Sequence, residues 1–79
     1  MQVTVILFGP YAQHLPPGSK GGRATVEVDD GTTVAGLLDS LGVPEDGRRY
    51  VTLDGRKAES ASELSEGAEL RVIVPLAGG

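Results

Sequence analysis

The two most apolar stretches of this chain lie near its opposite ends, and that placement restricts its fold more than any other feature. Val3 to Phe8 reads Val-Thr-Val-Ile-Leu-Phe and halts at Gly9-Pro10, and Leu70 to Val74 reads Leu-Arg-Val-Ile-Val and halts at Pro75. β-Branched and aromatic runs bounded by such breakers predict strands. In the first run Val3, Val5 and Leu7 share one face, with Thr4, Ile6 and Phe8 on the other; in the last, Leu70, Val72 and Val74 oppose Arg71 and Ile73. Strands apolar on both faces belong inside a sheet, so these two are expected side by side at its centre.

Between them, Arg23 to Val28 alternates strictly, with Ala24, Val26 and Val28 inward, and stops at Asp29-Asp30-Gly31. That predicts a half-exposed strand. One amphipathic helix follows. Thr33 can cap it, Val34, Leu37, Leu38 and Leu41 form its apolar stripe, and Gly42 with Pro44 beyond supplies the stop. Eight residues make about 12 Å of helix, too little to persist in water unless packed on a sheet. Tyr11 to Gly22, with two prolines and three glycines, reads as a loop. Tyr50 to Leu53 predicts a short strand, Asp54-Gly55 a hairpin turn, and Arg56 to Ala58 a polar return leg at a sheet edge. Ser60 to Gly67 is a small, acidic connection with Leu64 as its core anchor. Two terminal strands side by side with one helix across them describe an α+β, β-grasp fold, a mixed sheet of four to five strands with its main helix on one face. Seventy-nine residues make a single domain, 1–79, with residues 75–79 expected as a flexible tail.

Composition narrows the chemistry. The chain has no cysteine and one histidine, which excludes disulfides, zinc–thiolate sites and a catalytic thiol, and leaves no multi-histidine metal site. Seven basic against eleven acidic residues give a net charge of −4, which opposes binding to nucleic acid or anionic membranes. No apolar run approaches the roughly 20 residues of a membrane span. The start, Met1-Gln2-Val3-Thr4, lacks signal-peptide character, so a cytoplasmic location is expected. No bound cofactor or metal is expected, and an enzyme acting alone is not.

Two constellations point to function. The first is Gly78-Gly79, just past the proline that ends the last strand. Without a Cβ, glycine backbone can thread a narrow channel and keep its last carbonyl open to attack. A free α-carboxylate, with a pKa of about 3.3 to 3.7, is ionised at neutral pH and can attack the α-phosphorus of ATP. Five residues beyond Val74 reach at most about 17 Å. The second is Ile6, Phe8 and Ile73, expected together on the sheet face away from Val5 and Val72, as a docking patch beside the root of the tail. Other candidates read as ordinary structure. Gly18-Ser19-Lys20-Gly21-Gly22 lacks phosphate-loop spacing and precedes a strand. His14, Asp29-Asp30 and Arg48-Arg49 read as a loop residue, a turn and a solvated corner.

The chain resembles the MoaD/ThiS family of ubiquitin-like sulfur carriers along its whole length. The resemblance lies in Val5-Ile6-Leu7-Phe8-Gly9, in Asp30-Gly31-Thr32-Thr33-Val34-Ala35-Gly36-Leu37-Leu38, in Leu64 to Leu70, and in the closing Val74-Pro75-Leu76-Ala77-Gly78-Gly79. It implies a β-grasp fold and a carrier, not a catalyst, working as a protein cosubstrate or a non-catalytic subunit. An E1-like adenylyltransferase of the MoeB/ThiF type, using ATP and magnesium, would adenylate Gly79, and a persulfide donor would turn the adenylate into a thiocarboxylate. In the molybdopterin branch, favoured here, the large synthase subunit (MoaE type) would then receive the tail. The resemblance implies that Gly79 bears the sulfur and Gly78 gives clearance. It also implies that Phe8, Ile6 and Ile73, with Pro75, Leu76 and Ala77, face partners. A thiamine-type carrier, a protein modifier that uses the same tail, and an inert ubiquitin-like interaction module remain alternatives.

Overall fold

Residues 1–44 and 49–74 are described by the computed structural model. The first strand, β1 (Gln2–Leu7), pairs antiparallel with β2 (Arg23–Glu27) and parallel with β5 (Glu69–Ile73). On its other side β5 pairs antiparallel with β3 (Tyr50–Leu53), which carries the two-residue β4 (Arg56–Lys57) at the edge. The order is β2-β1-β5-β3-β4. The terminal strands are neighbours, and the sheet is mixed, as a β-grasp requires.

The core forms on one face. Val3, Val5 and Leu7 of β1 and Leu70 and Val72 of β5 are almost wholly buried, and with Val34, Leu37 and Leu38 of the helix α1 (Val34–Leu41) they make one cluster. Leu64 anchors the connection before β5 in the same core, as its isolation among small polar residues implies. The helix ends where its sequence signals stand. The Thr33 hydroxyl accepts a hydrogen bond from the Gly36 N–H at 3.1 Å. Gly42 takes the left-handed conformation (φ 79°), its N–H donates to the Asp39 carbonyl, and the Val43 N–H donates to the Leu38 carbonyl. No helix among the described residues is long and apolar enough to cross a membrane.

Asp54 and Gly55 both have positive φ, 51° and 86°, the pair of conformations that a two-residue hairpin turn demands. The Asp54 carboxylate accepts from the Glu69 N–H at 2.9 Å, and the Asp54 N–H donates to the Glu69 carbonyl at 2.9 Å. The turn is thereby tied to the start of β5. At the same end of the sheet the Met1 ammonium lies 2.8 Å from the Glu27 carboxylate, and that hydrogen bond raises its pKa above the usual value.

One expectation needs correction. Within the stretch read as a loop, the chain forms a 3-10 helix over Gly9–His14. Pro10 presets the backbone of its first turn, the Tyr11 N–H donates to the Phe8 carbonyl at 3.1 Å, and Tyr11 is buried in the core. A helix of two 3-10 turns anchored by one aromatic has no apolar period to detect. The remaining differences are one-residue shifts at strand ends. Phe8 lies just beyond β1, Val28 just beyond β2 and Ala58 just beyond β4, while β5 begins at Glu69 and ends at Ile73.

Candidate functional site

The sheet face opposite the helix is built in rows by the pairing register. Ile6 stands between Arg23 of β2 and Arg71 of β5, Arg71 faces Thr52 of β3, and Thr52 faces Lys57 of β4. Two residues further along, where β1 and β5 both end, the Phe8 N–H donates to the Val72 carbonyl at 3.0 Å, which sets Phe8 beside Ile73, and Ile73 pairs with Tyr50. One row is therefore apolar and aromatic, and the row beneath it carries three cations.

Of the residues expected to form a docking patch, two offer surface. Phe8 is 43% exposed and Ile73 is half-buried, whereas Ile6 is only 6% exposed. Among the described residues Ile6 lies outside the core cluster that packs on the helix; the long side chains beside it in register are Arg23 and Arg71, whose aliphatic stems can lie along an apolar neighbour while their charged heads stay in water. One further apolar side chain joins the exposed end, Tyr50, 37% exposed and paired with Ile73. Tyr50 reads in the sequence as the first residue of a short strand. Only the antiparallel register with β5 sets it next to Ile73, so no local signal marks it.

Chain direction connects this end of the sheet with the expected chemistry. β5 runs parallel to β1 at the centre of the sheet and finishes at Ile73, so the chain leaves the sheet at the end where Phe8 and Tyr50 stand. Pro75, Leu76, Ala77, Gly78 and Gly79 lie outside the described residues, as does Arg48.

The other polar features have local structural duties. Ser19 donates to the Pro16 carbonyl at 2.6 Å, closing a turn within the glycine-rich segment, and Lys20 forms an isolated bridge with Arg23 ahead of β2. Arg49 donates to the carbonyls of Val43 and Pro44, holding the segment after the helix. His14 is half-buried against Gly42 at the helix end. No group of three or more His, Asp or Glu side chains among the described residues is placed to hold a metal ion.

Comparison with known proteins is consistent with this geometry. The model of the ThiS family matches residues 5–79. Among solved structures, small archaeal modifier protein 1 of Haloferax volcanii is 26% identical, with 95% of this chain and 98% of that one covered and a TM-score of 0.73. Subunit 1 and 2 of molybdopterin-converting factor from Helicobacter pylori, solved as a protein–protein complex, give a match at 20% identity over all of both chains, with a TM-score of 0.66. The thiamine biosynthesis protein ThiS of Geobacter metallireducens matches at 23% identity over all of both chains, with a TM-score of 0.64. At those identities the last two similarities show the fold. No curated protein matches the sequence.

Proposed function

Because the chain belongs to the ThiS family of the ubiquitin-like MoaD/ThiS sulfur carriers, we propose that it carries sulfur as a thiocarboxylate on Gly79 and donates it in molybdopterin biosynthesis. The observation that carries this reading is the family match itself, which runs to residue 79 and so takes in Gly78-Gly79.

The chemistry needs a carboxylate and a partner. A carboxylate oxygen of Gly79 attacks the α-phosphorus of ATP held with magnesium by an E1-like adenylyltransferase, and pyrophosphate leaves. The terminal sulfur of a persulfide then attacks the acyl carbon and displaces AMP. A thiol cleaves the resulting acyl disulfide, becoming oxidised to a disulfide, and the thiocarboxylate remains on Gly79. The folded body presents the tail. β5 is hydrogen-bonded to strands on both sides, which fixes the strand that precedes the last five residues, and five residues can span at most about 17 Å. The apolar row of Phe8, Ile73 and Tyr50 is the surface a partner would grip while the tail enters its active site. The Helicobacter pylori complex supports a large synthase subunit as the second partner, the recipient of the sulfur.

The test is mass spectrometry of the C-terminal peptide after incubation with a ThiF/MoeB-type adenylyltransferase, ATP, magnesium and a persulfide donor. The expected product gains the mass of one sulfur-for-oxygen replacement on Gly79. An unchanged peptide, with a known carrier converted in parallel, rejects the reading.

A second reading is favoured by the likeness to the archaeal modifier protein: the same activated carboxyl attached to an amine of another protein. It is distinguished by a Gly-Gly remnant on lysines of other proteins after proteolysis.

A further inference from the structure

The cation row is not explained by the fold. It consists of Arg23, Arg71 and Lys57, on strands β2, β5 and β4 of the order β2-β1-β5-β3-β4. Each is therefore two strands from the next, about 10 Å at the usual strand spacing. All three are exposed. Among the described residues Arg23 and Lys57 make no ion pair, and Arg71 pairs with Glu69 at 2.8 Å, the two side chains being 49% and 37% exposed.

Covering Ile6 calls for the arginine stems and leaves their charges unexplained. It leaves Lys57 unexplained altogether, because its partner in register is Thr52. The row also reverses the sign of the molecule, whose net charge is −4. An acidic protein surface would be repelled by the chain as a whole and attracted along this line. The row runs parallel to the apolar row of Phe8, Ile73 and Tyr50, about 7 Å away along the strands. The residues beneath it are Thr4, Thr25 and Glu69, and then Gln2 and Glu27, so positive charge is confined to the border of the apolar row. A polyanion such as nucleic acid would meet the acidic groups lower on the same face.

We propose that Arg23, Arg71 and Lys57 form a charged register mark that docks a strip of carboxylates on the adenylyltransferase activating Gly79, while Phe8, Ile73 and Tyr50 take the apolar strip beside it. This rests on the sulfur-carrier reading for the identity of the partner. Charges at a contact rim set the orientation and rate of encounter more than the final affinity, and they act over a screening length of about 8 Å at physiological salt. Because the cations lie on one side only of the apolar row, the two rows together oppose a half-turn of the sheet on its partner, which apolar contacts alone would tolerate. The tail would then enter the active site in one direction.

The experiment measures binding of the full chain to the immobilised ThiF/MoeB-type adenylyltransferase of the same organism, without ATP, at about 50 and about 300 mM NaCl. Arg23→Glu and Lys57→Glu are compared with Arg56→Glu. Arg56 is exposed and pairs with Leu53, so it carries the same charge change on the opposite face. The expected result is a Kd raised about tenfold by each of the first two at low salt and less than about twofold by Arg56→Glu, with a shallower salt dependence in the row variants. Arg23→Gln and Lys57→Gln, expected to show a smaller rise in the same order, serve where a reversal shifts the thermal melt. Equal weakening by all three reversals, a Kd independent of salt, or no binding at either salt overturns the proposal. Pyrophosphate exchange is measured on the same samples. Its absence, with salt-dependent row binding intact, rejects the sulfur-carrier reading and leaves the docking row standing.

Discussion

Val5 and Leu70 are partners across the parallel pair of β1 and β5, and each has 0% of its surface exposed. The first and last strands thus meet in the fully buried part of the core, and the strand that leads to the tail is anchored there near its start. Leu70→Ala leaves a cavity against Val5 and the helix and is expected to cost about 2–5 kcal/mol. Urea denaturation reads this directly. A loss below about 1 kcal/mol would mean that the site collapses freely and that the root of the tail is softer than its burial implies.

The core cluster is built from described residues between Val3 and Val72, and Gly78 and Gly79 lie outside the described residues. The truncated chain is expected to melt at the same temperature as the full chain and to accept no sulfur, which paired circular dichroism and mass spectrometry will check. Activity retained by the truncated chain would favour the inert-module alternative.

The apolar row separates into residues that can change and one that cannot. Phe8→Asp, at an exposed position past the end of β1, should weaken partner binding by tenfold or more and cost less than about 1 kcal/mol of stability. Ile6→Asp buries a carboxylate between two strands and should destabilise the chain by about 3 kcal/mol or more, despite the arginines beside it. Thermal melts of the two variants, with partner titration of the first, provide the measurement. Equal destabilisation by both would place Phe8 in the core.

Two adjacent glycines offer a test of backbone geometry. Gly21 (φ 63°) and Gly22 (φ 76°) both occupy the left-handed region, so alanine at either costs about 1–2 kcal/mol. An added Cβ on Gly22 would also lie 3.1 Å from the Leu7 carbonyl oxygen, where the Leu7 N–H donates to Gly22 at 2.9 Å, whereas Gly21 has open space. Gly22→Ala is expected to be the more destabilising of the two in the same denaturation assay. Equal effects would show that the β1–β2 junction yields by a few tenths of an ångström.

The helix cap is the simplest case. Thr33→Ala removes the acceptor for the Gly36 N–H and should cost about 1 kcal/mol, with Thr33→Ser restoring most of it. Thermal unfolding measures both; an unchanged melt in Thr33→Ala would mean that water replaces the hydroxyl without penalty.

What was legible in the sequence is what local physics controls. Strict alternation marked β2, a cap, an apolar stripe and a stop glycine bounded α1 to the residue, and Asp54-Gly55 announced the turn, because each signal and its structural response lie within a few residues. The apolar ends likewise implied neighbouring strands at the centre of the sheet, since strands apolar on both faces belong inside one; their parallel direction is given by the pairing of β1 with β5. Tertiary structure alone decided the rest. The burial of Tyr11 came from a core that its neighbours do not encode. The covering of Ile6, the approach of Tyr50 to Ile73 and the line through Arg23, Arg71 and Lys57 depend on register between strands far apart in the chain. A slip of one residue would turn every one of those side chains to the other face, so only the packed core, by choosing which face is buried, determines them.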